Sequence, residues 1–364
     1  MYSLFVCGDV MTGRGIDQIL AHPSRPEIHE RFVRDARRYV ELAEEVNGPV
    51  PRAVDDAYIW GDALGELART APDARVVNLE TAVTRSEELW PKQINYRMHP
   101  ANVGCLTVAR LDVCVLANNH VLDYGYPGLI ETLDTLANTG IQVAGAGRDQ
   151  EEAERPARVR LADGRDLIVF AFGCESAGVP LSWAASVGRP GVAFLRDFSE
   201  ASAAVVAGRM LAARRSGDIV LVSIHWGSNW GYTVPPEQVQ FAHRLVDAGV
   251  DLVHGHSSHH PRPIEVYRDR LILYGCGDFI TDYEGIPGHE EYRGDLVVMY
   301  LAALATSGQL VGLRMTPMQA NRLRLRRALS SDCAWLARAL TRVSAEFGSR
   351  VEAPADGTLE LRFG

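Results

Sequence analysis

Four histidines lie within a stretch of seven residues, at His254, His256, His259 and His260. The stretch directly follows residues 250–253, a largely apolar run that predicts a buried strand. Imidazoles crowded into one loop usually coordinate a metal ion, and the alternative is a set of ordinary surface histidines. The metal interpretation depends on whether other strands deliver ligands to the same place.

Four other apolar runs end in carboxylate, carboxamide or imidazole groups. The runs are residues 3–7, 75–77, 113–117 and 219–224, and the polar residues that follow them include Asp9, Glu80, Asn119 and His225. Continuous aliphatic runs predict strands buried on both faces, and open α/β sheets build their sites at the C-terminal edge of such strands. Asp and Asn also make ordinary turns and helix caps, so one such ending carries little weight. Five endings with matching chemistry predict one shared site.

These strand ends supply oxygen and nitrogen ligands without a thiolate. Such a set suits Zn, Mn, Fe or similar divalent ions better than a structural cysteine-type zinc site. Six ligands exceed one tetrahedral shell, so we expect one or two metal ions, and a pair would lie about 3.5–4 Å apart around a shared carboxylate. The predicted ligands are Asp9, Glu80, Asn119, His225, His256 and His259.

The order and spacing of these motifs resemble the CapA family of capsule and poly-γ-glutamate synthesis proteins, within the calcineurin-like metallophosphoesterase superfamily. The matching segments are residues 8–14, 78–80, 118–125, 225–227 and 255–259. The resemblance spans residues 3–300 and implies an α/β fold, a sandwich of β-sheets flanked by helices. It also implies that Asp9 and His259 bind one metal, that Asn119, His225 and His256 bind the other, and that Glu80 bridges the two.

The resemblance implies further roles around the metals. His120 is similar to the superfamily imidazole that approaches the substrate as an acid or electrostatic partner. Arg14 is similar to a contact for a substrate anion, and a solvated surface arginine is the alternative. Met11 stands where the superfamily places a histidine, so one metal site is expected to be weak or empty.

A second departure lies late in the chain, where many relatives have Gly-Asn-Phe and this chain has Asp278 in place of the asparagine. Asp278 and His289, in the polar loop that follows, are predicted acid–base groups, although a lone loop histidine is more often only solvated. Trp226, Tyr283 and Arg293 are predicted to contact a peptide or another carboxylate-bearing substrate, with core or lid packing as the alternative for the aromatic residues.

Three functions fit these residues. The first is metal-assisted removal and return of a Cα proton, as in the peptide epimerases of the CapA-like family that act on lasso-peptide precursors. The second is hydrolysis of a phosphoester or a γ-glutamyl amide by metal-bound hydroxide. The third is a non-catalytic accessory role in polymer synthesis, against which the complete ligand set argues. The first two need the same ligands, so the sequence leaves both open.

The pattern between the motifs predicts helices and strands in alternation. We expect helices over residues 27–45, 55–69, 127–138, 199–215, 236–248 and 331–347, and a hairpin over residues 157–172. No Pro/Ser-rich linker divides the chain. We therefore predict a CapA-like metal-dependent catalytic domain over residues 1–317 and a helical C-terminal extension over residues 318–364.

Composition fits a cytoplasmic enzyme. The net charge is −9 and no basic block is interleaved with aromatic residues, which argues against a nucleic-acid partner. The chain opens directly into an apolar strand without a basic leader region, and no apolar run is long enough to cross a bilayer, so no membrane partner is expected. The six cysteines include no CxxC pair and are predicted to be buried, reduced thiols.

Overall fold

The computed structural model describes residues 1–364. Its helices are α1 (Arg14–Ile19), α2 (Arg37–Asn47), α3 (Asp62–Thr70), α4 (Gly104–Thr107), α5 (Gly125–Thr139), α6 (Gln150–Glu154), α7 (Glu200–Ala213), α8 (Pro236–Asp247) and α9 (Ser330–Ser344). Its strands are β1 (Tyr2–Val10), β2 (Ala74–Leu79), β3 (Ala82–Val83), β4 (Arg97–Met98), β5 (Val113–Val115), β6 (Gln142–Ala144), β7 (Ala146–Gly147), β8 (Ala157–Arg160), β9 (Asp166–Cys174), β10 (Gly191–Val192), β11 (Phe194–Leu195), β12 (Ile219–His225), β13 (Leu252–His256), β14 (Ile264–Tyr267), β15 (Arg270–Leu273), β16 (Asp278–Ile280), β17 (Leu296–Leu304), β18 (Leu310–Ala320), β19 (Leu325–Arg327), β20 (Arg350–Glu352) and β21 (Leu359–Arg362).

The larger sheet has ten strands and a parallel centre. Its main order is β20-β21-β18-β17-β1-β2-β5-β6, with β16 beside β1 and β19 beside β18. Strand β1 is parallel to β2 and β16, and β2 is parallel to β5. The register aligns Asp9 with Asn78 on one side and with Asp278 on the other, so three strands bring polar side chains to one edge.

The smaller sheet has seven strands in the order β11-β9-β12-β13-β15-β14, with β8 beside β9. Strands β9, β12, β13 and β15 are parallel, and the register places His225 opposite His256 at the C-terminal ends of β12 and β13. Two imidazoles therefore lie side by side because the two strands end in register.

Side chains of the smaller sheet alternate between two different cores. On β12, Leu221 belongs to the main core of 79 buried residues, which also contains the central strands of the larger sheet. Val222 belongs to a separate core of 22 residues, shared with helices α7 and α8. Because strand side chains alternate with a period of two, Ser223 and His225 continue the face of Leu221, toward the larger sheet.

The predicted α/β sandwich of β-sheets flanked by helices is confirmed, with one β-sheet of ten strands and one of seven. The helices predicted over residues 127–138, 199–215, 236–248 and 331–347 correspond to α5, α7, α8 and α9, and the predicted hairpin is the antiparallel pair β8 and β9. All six cysteines are buried and free, as expected. No helix has the length and apolar character that crossing a bilayer requires.

The single helix predicted over residues 27–45 is wrong in its first half, because α2 begins only at Arg37. The backbone of the preceding segment closes on itself, and Ala36 donates to the carbonyl of Pro26. Glu30 is buried in this segment and pairs with Arg14 and Tyr39. These long-range polar contacts outweigh the local helical pattern.

The C-terminal segment is mixed and not purely helical as expected. Strand β18 runs through the predicted boundary at residue 317, and β19, β20 and β21 extend the larger sheet around helix α9. The strands lie on either side of the predicted helix and pair with an existing sheet, and the residues next to that helix gave no prediction of this pairing. The division into two units stays a prediction.

Candidate metal centre

The C-terminal edges of the two sheets meet around Asp9, His225 and His256. One ligand atom from each lies within 4.8 Å of the other two, and all three residues are buried. The Nδ1 atoms of His225 and His256 are 2.8 Å apart, and Nδ1 of His256 is 3.8 Å from Oδ1 of Asp9. One carboxylate and two imidazoles at this spacing have the donor chemistry of a divalent transition-metal site.

The two imidazoles are held by groups on the same face of the smaller sheet. Ser223 Oγ lies 2.8 Å from Nε2 of His256 and 3.1 Å from Nδ1 of His254, and Nε2 of His254 donates to the carbonyl of Cys7 at 2.7 Å. The ring of His256 is therefore oriented with Nδ1 toward the cluster. Burial lowers the pKa of both His225 and His256 well below the ordinary value, which favours the neutral form that binds metals.

Asn119 contacts this group through His225. Its Oδ1 lies 3.0 Å from Nε2 of His225, on the ring nitrogen opposite the one that faces His256. In this arrangement the amide orients the imidazole. Its predicted role as a metal ligand stays a prediction.

The larger sheet contributes buried carboxylates from Asp9, Glu80 and Asp278. Asn78 Nδ2 donates to Oδ1 of Asp9 at 2.7 Å and to Oε2 of Glu80 at 3.4 Å. Burial and the charge of Asp278 raise the pKa of Asp9 to about 7, and burial and Asp9 raise that of Glu80 well above its ordinary value. Because a bound cation would relieve this repulsion, the residues present fit a divalent metal.

His259 and Asp278 form an ion pair at the rim of the cluster. Nδ1 of His259 lies 3.0 and 3.2 Å from the two carboxylate oxygens of Asp278, and its Nε2 lies 3.0 Å from Nδ2 of Asn229. Burial acts to lower the pKa of His259, but the Asp278 carboxylate outweighs burial and raises the pKa. Nδ1 is paired with Asp278, and the predicted ligand role of His259 stays a prediction.

His120 forms a second imidazole–carboxylate pair, deeper in the site. Its Nδ1 lies 2.6 Å from Oδ2 of Asp123, its Nε2 lies 3.7 Å from Oε1 of Glu80, and its ring stacks on Tyr96 with centroids 3.8 Å apart. Burial lowers the pKa of His120 well below its ordinary value. In this arrangement the ring of His120 is neutral and its Nε2 is directed toward the carboxylate of Glu80.

The sequence analysis did not predict a functional role for three residues of the site, Lys92, Asp123 and Ser223. Asp123 follows His120 by three positions within the same motif, and Ser223 precedes His225 by two positions on one strand face, so both spacings could have identified them. Lys92 Nζ lies 2.6 Å from Oδ1 of Asp123. Its signal is compositional, because it is the one lysine in the chain.

The structure gives Arg14 two carboxylate partners, and its predicted contact with a substrate anion stays a prediction. The guanidinium is buried and pairs with Asp282 at 2.5 Å and with Glu30 at 3.0 Å, and it lies 3.8 Å from the ring centroid of Tyr39. Two carboxylates neutralise it, and they accept from three of its five N–H donors.

The structure gives two further predicted substrate contacts, Trp226 and Arg293, other partners, and their substrate roles stay predictions. Trp226 is 2% exposed, belongs to the core beneath helices α7 and α8, and donates its indole N–H to the carbonyl of Tyr274. The guanidinium of Arg293 binds both carboxylate oxygens of Asp295, at 2.7 and 2.9 Å, and Asp332 at 3.1 Å. Trp226 faces away from the metal cluster because it follows His225 on a strand that alternates, and Arg293 is held by local acids.

Tyr283 and His289 lie beside His259 on an aromatic wall. The half-buried Tyr283 meets the His259 ring edge-on at 5.2 Å between centroids, and its hydroxyl is 2.6 Å from that of Tyr96. The exposed His289 stacks on Trp230 at 3.8 Å, and Trp230 lies 5.3 Å from His259. Their predicted roles as a substrate contact and an acid–base group stay predictions.

Comparison with known proteins places this chain in a family. A family model described as bacterial capsule synthesis protein PGA_cap matches residues 3–283. A probable polyglutamine synthesis accessory protein of Mycobacterium tuberculosis (strain ATCC 25618 / H37Rv) is 52% identical over 357 residues, which cover 97% of this chain and 94% of that protein. The PGA biosynthesis protein CapA of Bacillus subtilis (strain 168) is 27% identical over 295 residues, 80% of this chain and 66% of that protein.

A solved structure, the 5′-nucleotidase precursor from Thermus thermophilus, is 17% identical with a TM-score of 0.48, and the match covers 93% of this chain and 58% of that chain. The family match and the Mycobacterium relative each extend over most of the sequence, and the range of the family match contains the positions of Asp9, His225 and His256. The chain therefore belongs to the bacterial capsule synthesis protein PGA_cap family, in agreement with the predicted CapA resemblance.

Proposed function

We propose that this chain is a metal-dependent enzyme that performs acid–base chemistry on a peptide-like, carboxylate-bearing substrate. The observation that carries the proposal is the convergence of Asp9, His225 and His256, with ligand atoms within 4.8 Å of one another, beside the buried His120–Asp123 pair. A metal-binding group and an oriented imidazole at one sheet edge are the two parts that metal-assisted proton transfer and hydrolysis share.

The names of the relatives suggest the substrate class. They refer to polyglutamine synthesis and to PGA biosynthesis, and both point to a polymer of glutaminyl or glutamyl units. We propose such a polymer, or a peptide with the same side chains, as the substrate of this chain. The amide carbonyl would approach the metal cluster, and the rim at His259 and Tyr283 would border the rest of the polymer.

Each group has a distinct task in this proposal. A divalent ion held by Asp9, His225 and His256 would supply Lewis acidity toward a carbonyl oxygen. His120 would exchange a proton at Nε2, and Asp123 would hold the ring through Nδ1. Ser223 would keep the His256 ring in place for the metal.

We favour Cα proton transfer, and therefore epimerisation of a residue, as the reaction. The supporting observation is that the site has two imidazole–carboxylate pairs, His120 with Asp123 and His259 with Asp278, at hydrogen-bond distances of 2.6 and 3.0 Å. An epimerase needs one group to remove the proton and another to return it on the opposite face. Precursor peptides of the lasso type are one substrate to test.

Hydrolysis of a glutamyl amide or of a phosphoester is the second candidate. It is favoured by the buried carboxylate of Glu80, which lies 3.7 Å from Nε2 of His120 and could hold a water molecule beside the metal. A non-catalytic role in polymer synthesis is the third candidate, and the name of the Mycobacterium relative describes that protein as a probable accessory protein.

One incubation separates these outcomes. Purified protein is loaded with Mn²⁺ or Zn²⁺ and incubated with oligoglutamate, oligoglutamine, a lasso-type precursor peptide and a generic phosphoester in heavy water that also contains ¹⁸O. Epimerisation adds one deuteron at a Cα without cleavage, and hydrolysis gives shorter products that carry ¹⁸O.

His120→Ala is the test variant for the same incubation. His243→Ala is the matched control, because His243 also pairs with a carboxylate, Glu265, but lies on helix α8 outside the site. Absence of both products from metal-loaded wild-type protein would favour the accessory role. Equal rates in both variants would contradict the assignment of His120.

A further inference from the structure

Lys92 is the one lysine of the chain, against 36 arginines. The two residues carry the same charge but differ in shape. An ammonium is a compact group with three donors, whereas a guanidinium is a planar fork. All of the arginine and lysine positions except position 92 carry arginine. The one compact ammonium group therefore occurs at Lys92, which lies within the candidate metal centre.

The ammonium of Lys92 contacts two acceptors and lies beside the His120 ring. Its Nζ lies 2.6 Å from Oδ1 of Asp123 and 3.2 Å from Nδ1 of His120, and it contacts the backbone carbonyl of Asn119. The side chain is 24% exposed, with the charged end directed inward. Two acceptors this close together suit the compact donors of an ammonium, whereas a guanidinium presents its donors as a planar fork.

Asp123 connects this ammonium to the imidazole of the site. The carboxylate is fully buried, and its Oδ2 accepts from the backbone N–H of Tyr96 and from Nδ1 of His120, each at 2.6 Å. Its other oxygen pairs with Lys92. A buried carboxylate keeps a single orientation only while its charge and lone pairs are compensated.

We propose that Lys92 is a positioning residue: by pairing with Asp123 and the carbonyl of Asn119, it holds the His120 imidazole with Nδ1 on Asp123 and Nε2 toward Glu80. The catalytic consequence rests on the proposed function. The orientation of His120 does not depend on which reaction follows. A lysine that only neutralises a buried acid would leave that orientation unchanged when arginine replaced it.

Nuclear magnetic resonance can test the orientation without any substrate. Protein labelled with [¹⁵N]lysine gives one side-chain ammonium signal, because the chain has one lysine. Protein labelled with [¹⁵N]histidine reports the tautomer of each ring, and His120→Gln identifies the His120 signals. We expect the metal-free wild type to show a protected ammonium and a neutral His120 ring with its proton on Nδ1.

Lys92→Arg is the decisive variant, and Arg85→Lys is its matched control. Arg85 lies on the same segment and pairs with Glu131 at the surface, so the reverse exchange there should leave every His120 signal unchanged. We expect Lys92→Arg to shift or broaden the His120 signals and to lower kcat about 10-fold to 100-fold, the range typical of residues that support a site. The metal affinity should change less than about 3-fold, because the ligand groups remain in place.

A double variant guards against simple unfolding. Lys92→Met with Asp123→Asn removes both charges of the pair, so it should fold with a melting temperature near that of wild type while His120 loses its single tautomer. The proposal is overturned if Lys92→Arg and the double variant both keep the wild-type His120 signals. If wild-type protein catalyses none of the tested reactions, the proposed function fails, but the resonance result still decides the role of Lys92.

Discussion

The two faces of the smaller sheet carry side chains of the same strands and serve different purposes. Toward the larger sheet, β12 and β13 present Ser223, His225, His254 and His256, which hydrogen-bond to one another and meet Asp9. Toward helices α7 and α8, the same strands present aliphatic residues, and Trp226 beyond β12 joins them. One step along the chain separates the His225 imidazole of the candidate metal centre from the Trp226 indole of the core.

This contrast shows that residue type alone does not identify a functional side chain. Trp226 directly follows His225 and lies in the same motif, yet its indole fills the core. Ser223 is two residues before His225, and its hydroxyl orients His256. The alternation of the strand decides which neighbour shares the chemistry.

The largest effect is expected from His256→Ala, on the face of the smaller sheet that is directed toward the larger sheet. Loss of an imidazole from a three-residue group should weaken Mn²⁺ or Zn²⁺ binding by more than about 100-fold, beyond the 10-fold to 100-fold typical of a supporting residue. Titration calorimetry and elemental analysis measure this. His243→Ala on helix α8 should bind metal as wild type does, and equal affinity in the two variants would place the metal elsewhere.

Asp9 lies on the larger sheet, across the site from His256. Asp9→Asn should weaken metal binding and at the same time stabilise the metal-free protein. We expect about 10-fold to 100-fold weaker metal binding. The metal-free protein should gain about 0.5–2 kcal/mol in the free energy of unfolding, because one of three crowded buried carboxylates loses its charge. Urea unfolding of metal-free protein measures the gain.

Asp17→Asn is the matched control for Asp9→Asn. Asp17 is also buried, but it accepts hydrogen bonds from Ser24, His99 and Asn102 far from the metal cluster. This control should lose stability and keep metal affinity. A loss of stability in metal-free Asp9→Asn would contradict the proposed repulsion.

Ser223→Ala should have an intermediate effect. The variant removes the oxygen that holds Nε2 of His256, and we expect metal affinity to fall about 10-fold. Ser344→Ala removes another buried hydroxyl, which accepts from the backbone of Ile264 outside the site, and it should leave metal affinity unchanged. If both variants bind metal like wild type, the Ser223 hydroxyl does not orient His256 for metal binding.

Trp226→Phe should have the smallest effect on the site and a measurable effect on the fold. It leaves the carbonyl of Tyr274 without its indole donor, which costs about 1–2 kcal/mol of unfolding free energy. Metal affinity and substrate KM should stay at wild-type values, as thermal unfolding, calorimetry and steady-state assays would report. A rise in KM without loss of stability would restore Trp226 as a substrate contact.

Much of the architecture could be predicted because it is encoded locally. Apolar runs with a polar end identified the central strands and brought Asp9, His225 and His256 into one prediction, and the structure places their ligand atoms together. The helix predicted over residues 27–45 failed at its start because Glu30 makes contacts that its neighbours do not reveal. Local patterns predict elements well where distant polar partners do not compete.

The sequence by itself determined the family, the layered α/β fold and the chemistry available at the strand ends, since these depend on residue type, order and period. The tertiary structure decided what each polar group is paired with. Arg14 is neutralised by Asp282, 268 positions away, and Lys92 is joined to Asp123 and His120. Such pairings arise only when packing brings distant segments together, because the free energy of a buried charge depends on partners that no local pattern specifies.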